Sequence, residues 1–315
     1  MKRKKSFSLM VTDKLPLRAI ILLYHRVIDV KYDPYRITVS PRNFLIHMRY
    51  LKKNYNIISL NKLVSYLKQG RVPKRSIVLT FDDGYVDNYL YARPILEKLN
   101  IPATFFIATF NINTNKAFWW DRLARVFHPE QKLPLRIPLF NCKLSNPSKR
   151  KETFWHIYQV LQSSSPQIID KIVTYLEQWA KLGEAKDYSC RVMNERDIRE
   201  LADNRLFQIG VHTHHHSNLS SQTALLQRQE IQHSKQILEN ITDNPMKYFS
   251  YPYGSKDNYT VQTVRILKKS GFEAACSNYA GLVDEDTDLY ELPRCCIGNW
   301  DLAGFKKAIE RFFHC

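Results

Sequence analysis

The apolar run Ser76-Ile77-Val78-Leu79-Thr80-Phe81 ends in two adjacent carboxylates, Asp82 and Asp83, and then Gly84. A run of this length reads as a buried strand. Two charges at the end of a buried strand are costly unless a metal, a proton or a ligand meets them. Gly84 lets the backbone turn sharply away. The segment thus places two acids at the C-terminal edge of a strand, where α/β folds keep their sites. An Asp capping the next helix would account for the same residues without any chemistry.

A second apolar segment, Phe207-Gln208-Ile209-Gly210-Val211, runs directly into His212-Thr213-His214-His215-His216, which holds four of the ten histidines. Neutral imidazole is a common ligand for zinc and other transition metals. His212 and His216 are four residues apart, a spacing that lets two rings converge on one ion. Two histidines and one carboxylate would leave open positions on a metal, as catalytic sites do. A solvated polar loop is the other reading. The third segment is Phe249-Ser250-Tyr251-Pro252-Tyr253-Gly254. Pro252 fixes its own φ and biases Tyr251 toward an extended conformation. Such a loop lines a pocket and aims a backbone N–H, or is simply a turn packed with aromatics.

In this order the three motifs resemble those of the polysaccharide deacetylase family, the family 4 carbohydrate esterases. Thr80–Gly84 matches the first motif, His212–His216 the His-Ser/Thr-x-x-His motif, and Tyr251-Pro252-Tyr253-Gly254 the third. Leu23-Tyr24-His25-Arg26-Val27 and Ile101–Phe106 are similar to strands around the first motif. The resemblance implies that Asp83, His212 and His216 bind a divalent metal, most often zinc. It implies that Asp82 is the general base and that the backbone N–H of Tyr253 holds the oxyanion. The reaction implied is removal of an acetyl group from an N-acetylated amino sugar in a glycan or glycan precursor.

The chain also departs from the family pattern. Many members carry an Arg in the third motif that contacts the catalytic Asp. Here Ser250 stands in that place, and Arg294 is the candidate replacement. The Leu-His-Asp-like segment that supplies an acid for the leaving amine in many members has no match. His25 is the candidate for that acid or for a substrate contact, with a structural role at a strand end as its alternative. Two other functional readings stay open. One is a glycan-binding or assembly protein that has lost hydrolysis; the other is a metal-dependent amidohydrolase on small non-sugar amides.

Alternating strand-like and helix-like segments argue an α/β fold. The expected strands include Ala19–Tyr24 and Ile101–Ala108. The expected helices include Pro41–Lys53, Leu60–Gln69, Ser221–Asn240 capped by Ser220 or Ser221, Tyr259–Ser270, and Asp301–Phe313. Asp87–Asn100 reads as a helix broken near Pro94. The resemblance implies a distorted (β/α)7 barrel over residues 19–315, preceded by a basic segment at 1–18. Between about 111 and 192 the pattern changes to a mostly helical insertion. Its Trp119 and Trp120 could form a carbohydrate platform; a small core of the insertion's own is the other reading.

The net charge of +17 favours anionic partners such as charged glycan, acidic lipid or nucleic acid, although no nucleic-acid motif is present. The cluster Lys2-Arg3-Lys4-Lys5 is not followed by an apolar core of export length. The six cysteines lack zinc-finger spacing, and a reducing compartment accounts for them simply. The expectation is a cytoplasmic protein, suited to loose contact with the inner, anionic face of a membrane. Its substrate would be an N-acetylated glycan or a lipid-linked or nucleotide-linked sugar.

Overall fold

The structure, a computed structural model, describes residues 18–183 and 190–314. The cluster Lys2–Lys5 and the rest of residues 1–17 lie outside the described residues. Seven strands form the frame: β1 (Ala19–Tyr24), β2 (Ser76–Phe81), β3 (Ala103–Ile107), β4 (Phe207–Val211), β5 (Tyr248–Ser250), β6 (Ala274–Cys276) and β7 (Cys295–Cys296). They are hydrogen-bonded in the order β6-β5-β4-β3-β2-β1-β7. Every pair along that path is parallel. The two ends of the path approach each other at a parallel bridge between Cys276 and Leu292. The sheet is thus a curled (β/α)7-type barrel, with the short strand Asn56–Ile57 pairing beside β2.

The continuous apolar runs follow from burial on both faces. Every residue of β1 and β2 is buried. Alternate residues serve two separate cores. Ile77, Leu79 and Phe81 pack toward the outer helices, against Phe44, Met48 and Leu51 of α1 (Pro41–Asn54). Val78 belongs to a second core with Ala19, Ile21 and Phe106, joined by Leu60, Leu63 and Leu67 of α2 (Leu60–Leu67). By parity, Thr80 and Asp82 continue the Val78 face at the barrel's C-terminal end.

The break expected near Pro94 is a π-helical turn, Asn88–Ala92, leading into α3 (Arg93–Lys98) with Pro94 in its first turn. Between β3 and β4 the chain leaves the barrel. This excursion holds α4 (Trp119–Val126), α5 (Pro147–Gln162), α6 (Pro166–Trp179) and α7 (Glu195–Ala202). Beyond β4, α8 (Ala224–Thr242) is capped by Thr223, whose side chain accepts from Leu226 N–H. The expected cap, Ser221, instead ends a short 3-10 turn. Helix α9 (Val261–Lys269) is capped by Thr260, and α10 (Leu302–Phe313) by Asp301. Among the described residues, no helix is long and apolar enough to cross a membrane.

Candidate active site and metal centre

Asp82 extends the β2 ladder by one residue, its N–H donating to the Tyr24 carbonyl at 3.0 Å. Asp83 then takes the left-handed conformation at φ +74°, which swings its side chain away from that of Asp82. Gly84 follows at φ +83°, and a Cβ there would sit 2.8 Å from Ile107 Cγ2. His212 likewise continues β4, donating to the Ile107 carbonyl at 3.1 Å. In the loop after it, Thr213 and His216 are also left-handed, at φ +62° and +57°. Such residues are strained unless their surroundings hold them. Here Glu230 of α8 does so, accepting from the N–H groups of His214 at 3.1 Å and His215 at 2.8 Å. The same carboxylate bonds His215 Nδ1 at 2.6 Å.

These turns bring Asp83, His212 and His216 together. Asp83 Oδ1 lies 3.5 Å from His212 Nε2 and 3.4 Å from His216 Nε2. One ligand atom from each residue falls within 4.8 Å of the others, and all three residues are buried. His212 Nδ1 is 2.8 Å from the Ser250 carbonyl. A carbonyl only accepts, so Nδ1 carries a proton and Nε2 is the nitrogen turned toward Asp83. Against its burial, the charges of Asp82 and Asp83 raise the His212 pKa. Burial, with the neighbouring His212, pushes His216 down to about 3, so its ring is neutral. For Asp83, burial works upward, but the hydrogen bond from His212 leads the contacts that outweigh it and hold the carboxyl below its ordinary value. Two imidazole nitrogens and a carboxylate oxygen, buried and converging, fit a divalent transition-metal ion.

Asp82 faces a different partner. Arg294 Nη1 donates to its Oδ1 at 2.8 Å and Nη2 to its Oδ2 at 2.6 Å. Ser250 Oγ donates to Oδ2 at 2.9 Å and accepts from Arg294 Nη2 at 2.8 Å. Burial alone would raise the Asp82 pKa, yet the guanidinium and His212 hold it well below the usual carboxylate range. Arg294 is buried and is itself fixed by Nε donating to the Ser277 carbonyl at 2.6 Å. The small Ser250 therefore stands beside a cation delivered by the segment before β7.

His25, just past β1, lines the same cavity of about 480 Å3 as Asp82, Asp83, His212 and His216. Tyr253 lines it too, at φ +61°, its ring 4.7 Å from that of His216. The Tyr253 N–H has no acceptor among the described residues. Trp120 packs 4.6 Å from the His216 ring and donates Nε1–H to Tyr85 Oη at 2.7 Å. Trp119 lies against Trp120 and Tyr158 and does not line the cavity. Both tryptophans are buried, and they divide: Trp119 packs behind the cavity, whereas Trp120 lines it beside His216. Away from the barrel motifs, the aromatic wall comes from Trp155 and Tyr158 of α5, together with Tyr35 and Trp120. Their spacing in α5 could have been noticed in the sequence, but nothing there shows which way the helix faces.

The family model described as Polysaccharide deacetylase matches residues 69–132 and 146–275. The chain is 21% identical to the poly-β-1,6-N-acetyl-D-glucosamine N-deacetylase of Staphylococcus aureus, over 94% of this chain and 84% of that protein. Its fold resembles that of IcaB from Ammonifex degensii, with TM-score 0.62 and 17% identity, covering 94% of this chain and 97% of that one. It also resembles the Streptococcus pyogenes deacetylase PplD, solved in complex with acetate. That likeness has TM-score 0.57 and 19% identity, over 93% of this chain and 99% of the other.

Proposed function

Because this chain belongs to the polysaccharide deacetylase family, we propose that it hydrolyses the acetamide of an N-acetylated amino sugar in a glycan or glycan precursor. The observation that carries the reading is the division of labour between adjacent acids. Asp83 turns to the histidine pair while Asp82 turns to Arg294. Asp83, His212 and His216 would hold the ion, for which the nitrogen-rich set favours zinc. A bound divalent cation supplies Lewis-acid activation of water and of the acyl carbonyl.

Asp82, kept ionised by Arg294, accepts a proton as water attacks the acyl carbon. The free N–H of Tyr253 meets the oxygen that becomes negative. In this reading His25, which lines the cavity, donates a proton to the leaving nitrogen as the C–N bond breaks, releasing acetate and a free amine. The basic surface favours an anionic glycan, or a sugar on a phosphate-bearing lipid or nucleotide carrier at the cytoplasmic side of a membrane.

The test is acetate release from N-acetylglucosamine oligomers, run alongside metal analysis of the purified protein. Metal-dependent acetate release that Asp82→Asn abolishes is the expected result. Release of no acetate by a metal-loaded protein would sink the reading. The His25 assignment stands or falls separately: His25→Ala should lose most of its kcat, and near-normal turnover would remove His25 as the acid.

A further inference from the structure

Helix α5 has two working faces. Phe154, Ile157 and Leu161 are buried in the core of the excursion. Trp155, Tyr158 and Gln162 stand at i, i+3 and i+7, which a helix of 3.6 residues per turn places along one side. All three line the cavity that contains Asp82, Asp83, His212 and His216. The excursion therefore forms a wall of the catalytic pocket, opposite motifs that come from the barrel.

That wall is aromatic and chemically distinct from the metal centre. Tyr35 braces it, its ring 5.9 Å from Trp155 and 5.4 Å from Tyr158. The Tyr35 hydroxyl is tied to the Trp120 carbonyl at 2.7 Å. Trp155 and Tyr158 meet edge to face at 5.4 Å. Both are only half-buried, although each sits among other aromatic rings. The cavity, at about 480 Å3, is far larger than an acetyl group requires and lies within the usual range for ligand pockets. Aromatic faces with polar tips, next to an amide side chain, suit a pyranose ring, which offers C–H faces and hydroxyl edges.

We propose that Trp155, Tyr158 and Gln162 form a sugar subsite beside the acetyl-bearing ring, which binds a further pyranose unit of the glycan. The proposal rests on the deacetylase reading above. Trp155 stacks on the ring, while the Tyr158 hydroxyl and the Gln162 amide bond its hydroxyls. The subsite acts on substrate recognition and leaves the reacting atoms to the barrel motifs.

The test compares two substrates in the metal-loaded enzyme. One is an N-acetylglucosamine pentamer; the other is 4-nitrophenyl acetate, a small ester that reaches only the metal centre and Asp82. Trp155→Ala should lower kcat/KM on the pentamer by at least about tenfold, mainly through KM, a loss typical of one aromatic contact. Hydrolysis of the aryl ester should stay within about twofold, and Trp155→Phe should recover most of the loss. Tyr158→Phe keeps the ring and the fold, and is expected to lose severalfold on the pentamer alone. Equal losses on both substrates, or none on either, would overturn the subsite. A wild-type enzyme that cleaves the ester but never the pentamer would overturn the deacetylase reading, and the subsite with it. Wild-type turnover of the pentamer with unaffected variants would overturn the subsite only.

Discussion

Asp82 keeps its charge through a residue 212 positions away, Arg294, and both are buried. Removing one partner of a buried pair leaves an uncompensated charge, which typically costs about 3–5 kcal/mol. Arg294→Met should show a loss of that order in denaturant unfolding and should also lose acetate release. Adding Asp82→Asn should restore much of the stability and none of the activity. A double variant no more stable than Arg294→Met would refute this account of the pair. His47 provides a separate residue-scale case. It is fully buried in α1, its ring stacked on Phe305 at 3.8 Å, with Nε2 donating to the Trp300 carbonyl at 2.8 Å. Burial pushes it from 6.5 down to about 4, so the unfolded chain takes up the proton first. Its contribution is complete above about pH 6.5, is lost as the pH falls toward 4, and amounts to about 3 kcal/mol. Unfolding free energies of wild type and His47→Gln at pH 7 and pH 4.5 would check it. The wild type should lose more stability than the variant over that interval, and equal losses would count against the assignment.

At the scale of elements, the site depends on how strand ends turn. The loop from His212 to His216 carries two left-handed residues and is pinned by the carboxylate of Glu230 on one side and by Thr109 and Phe110 on the other. Glu230→Ala should weaken metal binding by up to about tenfold, the low end of the cost of losing a group behind a ligand, because Glu230 bonds the loop residues His214 and His215 and not the ligands themselves. Chelator competition would measure it, and an unchanged affinity would show that Thr109 and Phe110 suffice to hold the loop. This part of the molecule is the most legible in the sequence. Each acid and each histidine follows directly on an apolar run, and a strand's exit point fixes where its next residues sit. Arg294 is less legible, because its contact depends on β7 lying next to β1 and on Ser250 being small. The roles of the tryptophans are not legible. Trp119 and Trp120 and the pair Trp155 and Tyr158 all read as aromatic positions on helices. That Trp120, Trp155 and Tyr158 meet the pocket while Trp119 does not is decided by how α4 and α5 dock on the barrel, a tertiary outcome without a local signal. The caps at Thr223 and Thr260 are a smaller case, in which the residue one or two places from the expected start makes the bond.

For the molecule as a whole, the candidate metal ligands tie distant parts of the barrel together. Asp83 follows β2, whereas His212 and His216 follow β4, and β3 lies between them in the sheet. His212 also reaches the carbonyl of Ser250 at the end of β5. An ion held there would join the mouths of three strands across the curl of the sheet. The unfolded chain cannot offer that geometry, so binding adds to folding stability by mass action. At free metal near 1,000 times Kd the gain is about 4 kcal/mol. For a chain of 315 residues this corresponds to roughly 6 °C in Tm. Stripping the protein with a chelator should lower Tm by that order, and restoring zinc should bring it back. His216→Ala should remove the metal-dependent part while keeping the barrel, because the ring contributes little to the strand ladder. A shift of equal size in His216→Ala would place the stabilising ion elsewhere. No shift in the wild type would mean that the barrel mouth is held by the Asp82–Arg294–Ser250 network alone.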